Sequence, residues 1–215
     1  MRQVPPRAAS VLPPGVGSLD ESAGHTTRDH LGPRPPLPAD VKAPAGKADA
    51  IRTVADFARL KAERRKISMV TAYDAWSARL VACSMVDAIL VGDSAAMVMH
   101  GYGATVNATL PMMRAHTQAV ARAATESFIV SDLPFLTFRQ DVATAVRAVR
   151  VLVSSGAHAV KLEGVDGHEH VVRHIVESGI PVMGHIGLTP QSIHRLGGYR
   201  PRGKDAGEAE TLRRQ

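Results

Sequence analysis

Residues 88–97 read AILVGDSAAM. The stretch opens as a short apolar run, Ile89-Leu90-Val91, and breaks at Gly92 into an acid and a hydroxyl, Asp93 and Ser94. An apolar run bounded by Gly predicts a buried parallel strand that carries polar groups at its C-terminal end. Two more stretches follow the same grammar, Phe128-Ile-Val-Ser-Asp132 and Ala159-Val-Lys-Leu-Glu163. In parallel α/β folds the C-terminal strand ends share one face, so Asp93, Asp132 and Glu163 are expected to converge there. Three acids at one mouth repel unless a cation or a proton lies between them, and an all-oxygen donor set suits Mg²⁺. Each acid also reads as a cap for the helix that follows it. Three strands ending alike favour the metal site.

Composition narrows the classes. The chain has 215 residues, 45% hydrophobic, 21% charged and only 4% aromatic, enough for one domain whose core leans on Ala and Val. No apolar run approaches the roughly 18 residues of a membrane span. Cys83 stands alone, which rules out an internal disulfide and fits a reducing compartment; its helical surroundings read as core filler. The net charge of +6 divides unevenly: residues 1–50 carry +1, 51–194 carry +2 and 195–215 carry +3. No stripe of Arg and Lys interleaved with aromatics accompanies it, which argues against nucleic acid.

Nine of the fourteen prolines fall in residues 1–50, and no hydrophobic period survives them. That composition predicts a disordered Pro-rich tail, which lacks the apolar segment of a secretory signal. From residue 51 the pattern becomes regular. Thr53-Val-Ala-Asp56 resembles a capping box before a helix carrying Phe57 and Leu60. Strands are expected at Ile67–Thr71 and Pro181–Gly184 as well as at the three acid-ended stretches, the last strand delivering His185 to the same mouth. Helical periods follow each strand, with Trp76, Leu80, Val81 and Met85, then Met113, His116 and Val120, then a helix capped by Asp141 and closed by Gly156. The segment Met99–Asn107, with Gly101 and Gly103, is either a mobile cover over the mouth or a plain connection. His168, His170 and His174 lack an HExxH pattern, and His116 reads as a packed or surface histidine rather than a ligand.

Five alternations of strand and helix indicate a βα series with right-handed crossovers. The absence of GxGxxG after the first strand disfavours a dinucleotide-binding sheet. The expected fold is therefore an α/β (β/α)₈ TIM-barrel type, with residues 51–215 supplying about the first five βα units.

In order along the chain, Thr71-Ala-Tyr-Asp74, Val91-Gly-Asp-Ser94, Asp132-Leu-Pro-Phe135, Lys161-Leu-Glu-Gly164, Gly184-His-Ile-Gly-Leu-Thr-Pro-Gln191 and Gly197-Gly-Tyr199 resemble ketopantoate hydroxymethyltransferase. The resemblance runs from about Ile67 to Lys204. It implies a cytoplasmic enzyme of pantothenate biosynthesis, usually a homodecamer. Such enzymes transfer a hydroxymethyl group from 5,10-methylenetetrahydrofolate to 3-methyl-2-oxobutanoate. It also implies that Asp93 and Asp132 ligate Mg²⁺ (or Mn²⁺ or another divalent ion), with Glu163 in the metal shell directly or through water. Ser94 and Lys161 would hold the oxo-acid with His185 beside it, Lys161 serving alternatively as counter-ion to the acids. Two departures fall near the mouth, Ala96 in place of the family's common Gly and Thr105-Val-Asn107 in place of a Thr-Leu-Pro loop. The family's catalytic Glu is expected beyond Gln215, which leaves a catalytically incomplete fragment that binds metal, oxo-acid or intact subunits as the alternative. A related oxo-acid enzyme of the phosphoenolpyruvate-mutase type is opposed by the Gly184–Gln191 stretch.

Overall fold

The computed structural model describes residues 51–84 and 86–215. The expected tail at 1–50, and Met85, lie outside the described residues. Five strands form one all-parallel sheet in the order β1-β2-β3-β4-β5: Met69–Thr71, Ala88–Val91, Phe128–Asp132, Ala159–Glu163 and Val182–His185. Sequence order equals spatial order, without the reversal that makes the switch point of a doubly wound sheet. The arrangement is that of consecutive βα units in a barrel wall.

Helices α1 (Val54–Ala62), α2 (Ala75–Ala82), α3 (Ala95–Val98), α4 (Leu110–Ala123), α5 (Val142–Ser154), α6 (Glu169–Glu177), α7 (Ile193–Leu196) and α8 (Ala206–Arg214) complete the chain. Their starts are set by short acceptors. Asp74 accepts from the amides of Trp76 and Ser77, Asp141 from that of Thr144, and Asp205 from that of Glu208. The Thr53 amide donates to Asp56 Oδ2 at 2.9 Å, the returning half of the expected capping box.

Alternation along the strands separates two cores. Ile89, Val91, Ile129, Val160 and Leu162 face the outer helices and pack with residues such as Met113 and Val120 of α4 and Leu152 of α5. Ala88, Phe128, Val130 and Ala159 belong to the second cluster, which is covered by Ile51 and by Leu60 and Phe57 of α1. Phe57 meets Phe128 edge-on, with ring centroids 5.0 Å apart. Residues two apart point to one face, so Asp132 shares a face with Phe128 and Val130, and Lys161 and Glu163 share one with Ala159. Apolar packing therefore occupies the N-terminal half of this face, and charge its C-terminal half.

Two strand boundaries shift from the sequence expectation. β1 begins at Met69 because the amide and hydroxyl of Ser68 donate to Asp87 Oδ2, both at 2.8 Å. β5 runs from Val182 to His185, leaving Pro181, which has no N–H to offer a ladder, outside it. The Met99–Asn107 segment contains a 3₁₀ turn at Thr105–Asn107, and the Tyr102 amide donates back to the Ala96 carbonyl. Cys83 lies half-buried at the C-cap of α2.

Candidate active site

The strand ends deliver the site. Asp132, Glu163 and His185 are the last residues of β3, β4 and β5, and Asp93 lies two residues past the end of β2. Register decides which side chains meet. Asp132 pairs with Lys161 across β3 and β4, and Glu163 pairs with His185 across β4 and β5. Lys161 Nζ accordingly lies 2.9 Å from Asp132 Oδ1 and 3.8 Å from Glu163 Oε1. His185 Nδ1 is 3.1 Å from Glu163 Oε1 and 3.5 Å from Lys161 Nζ. The shorter contact, to the carboxylate, favours the tautomer in which Nδ1 carries its proton to Glu163.

The Asp93 amide donates to Asp132 Oδ2 at 3.0 Å, joining the ends of β2 and β3. Gly92 leaves room for the Ser94 hydroxyl: a Cβ there would lie 2.8 Å from Ser94 Oγ, while Asp132 Oδ2, at 3.7 Å, would be in ordinary contact. Asp93, Asp132, Lys161 and Glu163 are all buried. Burial, reinforced by the Asp132 charge, pushes the Asp93 carboxyl up to about 7. Burial also raises Asp132, against the pull of Lys161 and of the Asp93 amide.

Four residues around the site, Gln191, Tyr73, His116 and Arg139, were given no catalytic or binding role in the sequence reading. Gln191, buried after β5, donates from Nε2 to Asp93 Oδ2 at 2.7 Å and to the Leu133 carbonyl at 3.0 Å, while its amide donates to Glu163 Oε2 at 2.9 Å. Tyr73 holds Ser94, with its hydroxyl 2.8 Å from Ser94 Oγ. His116 steadies Tyr73 in turn, its Nδ1 2.6 Å from the Tyr73 carbonyl and its Nε2 2.8 Å from His100 Nε2. Arg139 donates to the carbonyls of Glu163 and Gly164 at the end of β4. Gln191 and Tyr73 stand inside quoted motifs; Tyr73, two residues past β1, carried the signal of a polar residue at a strand end, whereas Gln191, six residues past β5, carried none.

Among the described residues, no three His, Cys, Asp or Glu side chains converge closely enough to hold an ion alone. Asp93 and Asp132 remain a pair of adjacent buried carboxylates, and Asp132 Oδ1 has no aligned hydrogen-bond donor despite its nearness to Lys161. Glu163 is occupied by Gln191, His185 and Lys161. This donor chemistry fits a hard divalent ion of the Mg²⁺ kind, which uses one or two carboxylates and takes its other oxygens from water and ligand.

Fold and site define a class: a parallel βα protein of the barrel type with a buried carboxylate–lysine cluster at the C-terminal strand ends. The family profile of ketopantoate hydroxymethyltransferase matches residues 52–215, and the chain belongs to that family. It is 52% identical over 158 residues to a 3-methyl-2-oxobutanoate hydroxymethyltransferase of Coxiella burnetii (strain Dugway 5J108-111), covering 73% of this chain and 59% of that protein. It is 53% identical over 161 residues to the protein of the same name from Legionella pneumophila (strain Lens), covering 74% and 62%. The chain thus spans about three-fifths of the length of these curated relatives. Among solved structures it is similar to 2,3-dimethylmalate lyase, described as a PEP mutase/isocitrate lyase superfamily member, at TM-score 0.49 and 18% identity over 76% of this chain and 67% of that one. No helix among the described residues is long and apolar enough to cross a membrane.

Proposed function

We propose that this chain performs the oxo-acid part of a hydroxymethyl transfer, holding 3-methyl-2-oxobutanoate for addition of a one-carbon unit from 5,10-methylenetetrahydrofolate to give 2-dehydropantoate. The observation that carries this reading is the buried set of Asp93, Asp132, Lys161 and Glu163 at one mouth, in a chain half-identical to hydroxymethyltransferases. Asp93 and Asp132 would hold a divalent ion, which when bound supplies Lewis-acid polarisation of the oxo-acid carbonyl. Ser94, set by Tyr73, offers a hydroxyl to the substrate carboxylate. Lys161 balances the acids and supplies positive charge where negative charge develops as the C3 proton leaves. Burial of these groups keeps bulk water away and strengthens each contact. A cytoplasmic homo-oligomer accords with the same reading.

Proton NMR tests it. Mg²⁺-dependent line broadening of the oxo-acid methyl signal is expected with the wild-type chain, abolished in Asp132→Asn and retained in Asp141→Asn, which alters only a helix cap. Broadening that ignores Mg²⁺, or that survives Asp132→Asn, would remove the reading. Exchange of the C3 proton in D₂O, compared with a relative of full length, then separates proton abstraction from binding without turnover.

A further inference from the structure

A polar cavity of about 570 Å³ adjoins the end of β4, bounded there by Glu163 and Gly164. Arg139, Arg195 and Arg202 line it together with the hydroxyl residues Thr189, Ser192 and Thr211. Its four carboxylates all have partners, several of them on the cavity lining itself. Glu208 pairs with Arg202 at 2.8 Å and Arg200 at 3.7 Å, and accepts from the Gly203 amide. Asp205 caps α8 through the Glu208 amide at 2.8 Å, and Asp166 accepts from Gln215 Nε2 at 2.7 Å. Glu163 is committed to Lys161, His185 and Gln191.

Arg139 and Arg195 are different. Neither has a carboxylate within ion-pair distance among the described residues. Arg139 is fixed by one nitrogen, Nη2, which donates to the carbonyls of Glu163 at 2.9 Å and Gly164 at 3.3 Å, and its guanidinium lies 4.8 Å over the Phe138 ring. Its other N–H donors have no partner among the described residues, so the guanidinium is held in place with hydrogen-bonding capacity to spare. Burial, and then the charge of Arg195, hold Arg139 below the ordinary guanidinium range, with the Asp166 carboxylate pulling the other way, so two cations and one acid face this space.

We propose that this cavity binds an oxyanion carried by a small molecule, a phosphate or a carboxylate, with Arg139 and Arg195 as its charge partners. Arginine suits planar oxyanions because its donors match two oxygens at once. The cavity shares Glu163 with the oxo-acid site but includes neither Asp93 nor Asp132, and its proposed charge partners, Arg139 and Arg195, take no part in the oxo-acid reading.

The test is calorimetric titration of the full 215-residue chain with inorganic phosphate and with glutamate, in EDTA and with ionic strength held by sodium chloride. Saturable binding of at least one probe is expected, weakened about tenfold or more by Arg195→Gln or Arg139→Gln, the scale of one charge-assisted hydrogen bond. Arg213→Gln, which alters an exposed pair with Glu210 on α8, should leave it unchanged. Arg195 is exposed, so its substitution keeps the test alive where Arg139→Gln unfolds the end of β4. Tighter binding of phosphate marks a phosphate-bearing ligand, and tighter binding of glutamate a carboxylate-bearing one. Saturation by neither probe, or equal affinity in Arg195→Gln, overturns the proposal.

Discussion

Gln191 Nε2 donates to Asp93 Oδ2 at 2.7 Å across 98 positions of sequence, tying the segment after β5 to the end of β2. The same nitrogen reaches the Leu133 carbonyl past β3, and the Gln191 amide reaches Glu163 on β4. One residue therefore links three strand ends. All these partners lie in the region that burial removes from water, where each unmade bond is costly.

Replacing Gln191 tests that linkage. Gln191→Ala leaves Asp93 and the Leu133 carbonyl without a donor and should lower unfolding free energy by about 1–3 kcal/mol. Gln191→Glu keeps the shape and adds a carboxylate beside Asp93, so its deficit should be larger at pH 8 than at pH 5. Urea denaturation at both pH values measures this. A Glu variant with the same deficit at both would mean that Gln191 acts only by filling space.

Asp93 makes stability depend on pH in a direction opposite to that of most carboxylates. Its folded pKa is raised from 3.8 to about 7, so the folded chain binds a proton more tightly than the unfolded chain. The associated stability is present below about pH 4 and is lost as pH rises through about 7, on the order of 2–4 kcal/mol. The helix caps Asp74 and Asp141 have lowered pKa values, and their contributions fail only on acidification below the ordinary carboxylate range. In EDTA, the urea midpoint should fall between pH 5 and pH 8, and Asp93→Asn should flatten that slope. An unchanged slope in the variant would place the titration elsewhere.

Gly156 sets how closely α4 and α5 pack. It adopts φ +105°, and a Cβ there would lie 2.4 Å from the Cβ of Ala121. Gly156→Ala combines strain with overpacking and should cost about 2–4 kcal/mol. Gly179→Ala, at φ +87° with nothing within 4 Å of the added carbon, should cost about 1 kcal/mol. Thermal unfolding of the two variants separates these contributions; equal losses would show that the contact with Ala121 yields freely.

The acid-ended strands were legible because their signals are local: a β-rich apolar run, a break or an acid, then a helical period. Caps were legible for the same reason, as Asp141 and its amide partner at Thr144 are three residues apart. Sequence order alone also implied the parallel βα series, and the sheet follows that order strand by strand. Strand limits were less legible, since β1 loses its first residues to a bond between Ser68 and Asp87, nineteen positions away.

What tertiary structure decided was which charges meet. Residue types along the chain determined that Asp93, Asp132 and Glu163 stand at strand ends, because periodicity and chain breaks act over a few residues. Register between strands determined that Lys161 lies level with Asp132, and that Glu163 lies level with His185 and is thereby engaged. The chain's return after β5 decided that Gln191 serves Asp93. Such pairings are made between segments tens of residues apart, and side-chain contact across strands depends on a register that no single segment contains.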